Sequence, residues 1–128
     1  MLLGGSKTDH LFLLDDLKAH LDEMQAVGAN YVRNTMSQRE EKTLKPHKLL
    51  PDGKFDLDQW NEDYWQRFAN MLKWTAERNI FVQIEVWDRF DYAQQNWKES
   101  PWNPQNNVNY TPEQSGLSPT YPEAAFYK

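Results

Sequence analysis

The chain contains no cysteine among its 128 residues, which removes disulfides and thiolate chemistry. Positive charge is also in short supply. Fourteen Lys and Arg stand against nineteen Asp and Glu, for a net charge of -5. No basic run gathers them, and this argues against a nucleic-acid partner. No stretch is long and apolar enough to cross a bilayer. Met1-Leu2-Leu3-Gly4-Gly5 is too short for a secretory signal and lacks its basic start. The three histidines, His10, His20 and His47, are isolated, with no acid or histidine at ligand spacing, so no metal is expected. Ser6-Lys7-Thr8 lacks the glycine spacing of a phosphate loop, and no Gly-x-Ser-x-Gly elbow occurs. No cofactor is implied.

Rings are what the chain has in excess: six Trp, six Tyr and six Phe. That is more than one small domain easily hides, so several should line a surface. The length allows one domain at most. The most informative segment is Asn79-Ile80-Phe81-Val82-Gln83-Ile84-Glu85-Val86-Trp87-Asp88. Read as a strand, it puts Ile80, Val82, Ile84 and Val86 on one face and Phe81, Gln83, Glu85 and Trp87 on the other. Burying Gln83 and Glu85 unpaired would cost roughly 2–7 kcal/mol each. Such a face suits a barrel interior or a cleft floor, with chemistry at the strand's C-terminal end.

Upstream, Leu14, Leu17, Leu21, Met24 and Val27 mark one face of a helix, and Gly28 suits its left-handed cap. Ala29 to Thr35 reads as a strand. Residues 36–59 read as a mixed loop broken by Pro46, Pro51 and Gly53, with a turn at Asp52-Gly53. Asn61 is a candidate N-cap, and Trp60 and Trp65 fit the positions of a hydrophobic staple. Tyr64, Phe68, Leu72 and Ala76 then carry a helix to about Arg78, where Asn79 ends it. Met1–Gly5 looks like the end of a first strand. The order strand, helix, strand, loop, helix, strand predicts a parallel α/β sheet. Residues 88–128 hold five prolines and many amides without periodicity, and loops of that length are usually functional or disordered. Both ends look cut, so the chain reads as a piece of something larger.

The candidate site follows from the strand ends. Arg33 near the end of the second strand faces Glu85 and Asp88 near the end of the third, and a guanidinium clamps a carboxylate through two hydrogen bonds. The alternative is a buried structural ion pair. Asp9 and His10 follow the first strand and can face the same mouth. Trp87, Trp97 and Trp102, with Tyr92 and Tyr110, surround Asn103, Asn106, Asn107 and Asn109. Flat rings stack on sugar faces, and amides serve hydroxyls as both donors and acceptors. The alternative there is a loop stapled down by its own aromatics.

With those residues in place, the chain resembles the N-terminal part of a clan A glycoside hydrolase, the cellulase-like group that includes family 5. The resemblance is carried by Gly28-Ala29-Asn30-Tyr31-Val32-Arg33, which is similar to that group's G-x-N-x-V-R second strand. It extends to the Phe81–Trp87 strand and to Gly4-Gly5-Ser6-Lys7-Thr8-Asp9-His10. It implies an incomplete TIM (β/α)8 barrel spanning 1–128, with strands one to three, two helices and a long βα loop over 88–128. Arg33 would be a supporting catalytic residue beside the nucleophile. Asp9, His10, Glu85, Trp87, Asp88, Trp97, Trp102, Asn107 and Tyr110 would bind a carbohydrate substrate. The group's histidine at the end of strand three is replaced here by Trp87-Asp88. Its two catalytic glutamates fall after strands four and seven, beyond this chain. The resemblance also implies an extracellular or periplasmic site of action.

Retaining hydrolysis needs two carboxyls about 5–5.5 Å apart. Glu85 and Asp88, three apart on a strand, stand roughly 10 Å apart on opposite faces. The polypeptide by itself is therefore expected to be inactive. Two other readings remain: a non-catalytic carbohydrate-binding protein on a degenerate barrel, and an open α/β domain binding a nucleotide or phosphate. The last needs a glycine-rich turn directly before a helix, which is missing.

Overall fold

Residues 1–36, 44–86, 92 and 95–120 are described by the computed structural model. They belong to two compact units, each assembled from two stretches of chain: 1–37 with 63–87, and 38–62 with 88–128.

In the first unit, helix α1 (Leu17–Ala26) buries Leu17, Leu21 and Met24, as the apolar spacing requires. It ends where Gly28 adopts φ 76°, with Gly28 N–H on Gln25 O (3.0 Å) and Ala29 N–H on Met24 O (2.9 Å). This paired closure is a Schellman motif, which favours glycine at the left-handed position. Val27 lies past the last turn and is exposed, not part of the apolar face. Strand β1 (Tyr31–Thr35) follows at once.

Helix α2 (Glu62–Glu77) buries Tyr64, Met71 and Thr75, while Leu72 and Ala76 are exposed. The expected i+4 ladder through Leu72 and Ala76 fails for a geometric reason. At 3.6 residues per turn each i+4 step drifts about 40°, so three steps rotate a side chain about 120° off the face. The α2 helix closes as α1 does, with Asn79 at φ 54°, Asn79 N–H on Ala76 O (3.2 Å) and Ile80 N–H on Thr75 O (2.9 Å). Phe12 is buried against the aromatics of α2, edge-on to Tyr64 at 4.9 Å and to Phe68 at 5.7 Å.

A fourth strand in chain order, β4 (Phe81–Glu85), pairs parallel to β1 with Tyr31 opposite Phe81, Arg33 opposite Gln83 and Thr35 opposite Glu85. The expected first strand is reduced to one parallel bridge, Gly4 to Tyr31. There the backbones approach so closely that a Cβ on Gly4 would lie 1.8 Å from the Tyr31 carbonyl oxygen. Two glycines also disfavour an extended strand, because they have no side chain to pack.

The second unit contains what the sequence presented as a loop. Strands β2 (His47–Leu49) and β3 (Phe55–Trp60) form an antiparallel hairpin. Pro51 sits at the corner of its turn, closed by Gly53 N–H on Leu50 O (3.0 Å), with Gly53 at φ 83°. A corner followed by a left-handed glycine is a common three-residue hairpin connection. The downstream stretch pairs onto β3 through a Phe55–Asn107 bridge. It contains a 3-10 turn (Gln95–Glu99) and a short helix α3 (Pro112–Ser115), with a capping box between Thr111 and Gln114 and a left-handed Gly116.

This architecture corrects the incomplete TIM-barrel expectation. A barrel arc needs several parallel strands hydrogen-bonded in series with a consistent tilt and stagger. Among the described residues there are two separate two-stranded sheets, one parallel and one antiparallel. The class remains α/β, without a barrel.

Candidate functional site

The parallel sheet presents one face built of Tyr31, Arg33 and Thr35 from β1 and Phe81, Gln83 and Glu85 from β4. Period-two alternation makes this set, and the register aligns it in three rows. Arg33 joins the rows. Its Nη1 lies 3.4 Å from both Glu85 carboxylate oxygens, and its Nη2 donates to Asp9 Oδ1 at 2.5 Å. Glu85 Oε2 accepts from Thr35 Oγ1 (2.8 Å), and its Oε1 accepts from Gln83 Nε2 (3.3 Å). Tyr31 Oη donates to Gln83 Oε1.

The loop after Gly5 completes the cluster. Ser6 Oγ accepts from Arg33 N–H (3.0 Å) and also meets the Arg33 carbonyl, while Thr35 N–H donates to the Asp9 carbonyl at 2.6 Å. Asp9 is thereby held at the end of β1, beside the guanidinium. Beneath the sheet, buried Asn34 Oδ1 accepts from Phe12 N–H (3.1 Å), fixing the strand to the turn that follows His10.

Apart from Thr35, which is buried, the face is open, which differs from the buried face anticipated for Gln83 and Glu85. The Arg33 side chain is 44% exposed and that of Glu85 32%. Phe81 is 65% exposed, at the opposite end of the rows from Glu85. Ion pairs this accessible contribute about 0–1 kcal/mol to stability. A buried structural ion pair is therefore not what Arg33 makes. The cluster instead offers planar donors and acceptors to water or to a ligand.

Other expected site residues fare differently. His10 is 8% exposed, with its ring within 3.4 Å of Thr8 Oγ1, and so is packed more than presented. Trp87 and Asp88 lie outside the described residues. In the second unit, Trp97 is fully buried and its Nε1–H donates to Ser118 O at 2.8 Å. Asn107 is buried as well. Its amide donates to the Pro101 and Asn103 carbonyls and accepts from the Asn109 and Tyr110 N–H groups. Asn103 bonds the Trp97 and Pro119 carbonyls, and Asn106 those of Lys98 and Ser100.

This corrects the expectation that Trp97 and Asn107 face a sugar. Irregular backbone buried in a small body must find donors for its carbonyls, and these amides supply them. Trp102 is half-buried, packed on the cluster of Tyr92 and Trp97. Tyr110 donates to the Trp102 carbonyl at 2.6 Å, and burial raises its phenol above the ordinary value.

Tyr31, Thr35, Ser6 and Phe81 were absent from the sequence-level site. Alternation along Tyr31-Val32-Arg33-Asn34-Thr35 was the available signal for the first two. No group of three or more His, Asp or Glu suited to a metal occurs among the described residues. Comparison with known proteins gave no match, whether to family models, curated sequences or solved structures.

Proposed function

We propose that the open face of the parallel sheet binds a poly- or oligosaccharide, and that the chain is the sugar-binding portion of a glycoside hydrolase. The observation carrying this reading is Arg33 held between Asp9 and Glu85 on an exposed face. A sugar hydroxyl donates and accepts at once, and this row answers both needs: guanidinium N–H groups donate, carboxylates accept, and the Gln83 amide does both. The Tyr31 and Phe81 rings at one end offer apolar faces for pyranose C–H groups. Arg33 acts as a positioning residue, orienting the carboxylates against which hydroxyls settle. The hydrolase part of the reading rests on the resemblance of residues 28–33 to the G-x-N-x-V-R strand.

Asp9 and Glu85 are not assigned the hydrolytic pair. Retention demands a nucleophile and a separate acid/base group, whereas both of these are engaged by one guanidinium. For the polypeptide by itself, that favours the related reading of a non-catalytic carbohydrate-binding protein. The test is an amide NMR titration with cellohexaose, xylohexaose and mannohexaose, beside an aryl-glycoside turnover assay. At least one sugar should shift the Tyr31–Thr35 and Phe81–Glu85 amides saturably, Arg33→Ala should abolish the shifts, and no turnover should appear. Silence of those amides toward all three sugars at millimolar concentration would remove the proposal.

A further inference from the structure

A second exposed ring, far from the sheet face in sequence, is held in a way that burial alone does not explain. Across the hairpin the register runs Leu49 with Phe55 and Lys48 with Asp56, then jumps to His47 with Trp60. The irregularity takes up Leu57, Asp58 and Gln59 on β3, and bulges of this kind re-aim side chains. Here it brings the Trp60 indole parallel to the His47 imidazole, at 5.2 Å and 22° between planes. His47 is itself buried and fixed edge-on by Trp102 at 5.1 Å and 89°. The next residue is pinned too, with Asn61 N–H on Pro46 O (3.0 Å) and Asn61 Nδ2 on Lys45 O (2.9 Å).

Trp60 nevertheless remains 58% exposed. A large ring left in water but rigidly backed by another ring is a preformed platform. It lies in an open groove of about 580 Å³ shared with Lys48, Leu49, Gln59, Asn61 and Glu62. That volume falls within the ~300–1,000 Å³ common for small-molecule sites. The polar rim is also ordered: Lys48 Nζ donates to Gln59 Oε1 at 2.9 Å, and Gln59 Nε2 to Asp56 Oδ2 at 2.5 Å.

We infer that Trp60 is the stacking platform of a separate saccharide-binding site in the second unit. One pyranose ring would lie on the indole, with its hydroxyls served by the Lys48 ammonium, the Gln59 amide and the Glu62 carboxylate. A single exposed ring with donors and acceptors on its rim suits a sugar better than a proline-rich peptide, whose grooves are lined by several aromatics. This inference goes beyond the proposed function and shares with it only the ligand class.

The test follows the six indole N–H signals of the intact chain, with Trp60 assigned by Trp60→Phe, during titration with cellohexaose or xylohexaose. The Trp60 signal should shift saturably. Trp60→Ala should weaken this binding at least about tenfold, equivalent to ~1.4 kcal/mol. Trp60→Phe, which keeps a ring on His47, should weaken it less, and Arg33→Ala should leave the Trp60 titration unchanged. A Trp60 signal that stays still while β1 amides move would overturn this site and leave the sheet-face reading standing. Movement of Trp60 with a deca-proline peptide and not with sugars would make it a peptide groove. If the Trp60 signal moves with neither sugar, this site falls, and the sheet face stands or falls on its own three-sugar titration. The wild-type titration decides these outcomes even if Trp60→Ala fails to fold.

Discussion

In the unit built on β1 and β4, Leu17, Leu21, Met24, Val32 and Met71 vanish from solvent, and backbone polar groups are satisfied in helices and a ladder. In the unit built on the β2–β3 hairpin, Trp97 and Tyr92 form a small apolar center, and side-chain amides of Asn103, Asn106 and Asn107 take up the carbonyls that no ladder reaches. The difference decides where each unit can carry a binding face. Regular strands project polar side chains outward in rows, so the first unit can spare Arg33, Gln83 and Glu85 from structural duty. The second unit spends the Asn103, Asn106 and Asn107 amides internally, and among the large apolar side chains it leaves exposed, beside Leu49 and Val108, is a ring, Trp60.

Removing the center of each unit tests that contrast most severely. Phe12→Ala should cost about 3–5 kcal/mol in the first unit, and Trp97→Ala about the same in the second. Amide exchange should show protection lost among Val32–Thr35 for Phe12→Ala and among Asn103–Tyr110 for Trp97→Ala. Equal loss across both regions in either variant would mean that the units share one folding transition, and the contrast would dissolve.

A smaller change separates the two ways of satisfying backbone. Asn107→Ala deletes no large apolar surface but strips partners from two carbonyls and two N–H groups. At about 1–3 kcal/mol for each buried group left unsatisfied, less whatever water recovers, a net loss of ~1–3 kcal/mol is expected in urea unfolding. Below this comes Asn79→Ala at the end of α2. Alanine tolerates φ 54° poorly, so about 1 kcal/mol should be lost, whereas Asn79→Gly should be neutral or slightly stabilising. Thermal midpoints of the two variants, compared side by side, check the sign.

The same contrast explains what the sequence disclosed. The α1 face, the left-handed positions Gly28 and Asn79, and the alternating polar face of Phe81–Glu85 were legible because each follows a short-range rule of spacing or backbone geometry. So was the approach of Arg33 to Glu85, once the strands were taken as parallel neighbours. The hairpin was not legible: β2 is three residues long, and Pro46 and Pro51 read as breakers although Pro51 forms the corner. The roles of Trp97 and Asn107 were hidden for another reason. Whether an asparagine meets a sugar or a neighbouring carbonyl depends on tertiary placement, which no periodicity records. A first strand was expected from Met1–Gly5, but the pairing there is a single Gly4–Tyr31 bridge, beside hydrogen bonds between Leu3 and Asn30.

The gentlest probe is pH, because it alters one ring of the second unit without deleting an atom. Burial pushes the His47 imidazole below its ordinary value, while the Leu57 backbone and the Asp56 carboxylate pull weakly the other way. In the unfolded chain His47 takes a proton near pH ~6.5, and in the folded chain only at lower pH. Between those two values the unfolded form binds more protons, so stability falls as pH drops through the window. It is fully present above the unfolded value and levels off below the folded one. The melting midpoint of signals from Lys48–Trp60 should therefore decline as pH is lowered from neutrality, by a slope and not a collapse. His47→Phe keeps a ring beneath Trp60 and should flatten that slope, while the Val32–Thr35 signals should show no such dependence on residue 47. A slope that survives in His47→Phe would mean that another group titrates there, and the neutral imidazole would lose its part in holding the Trp60 platform.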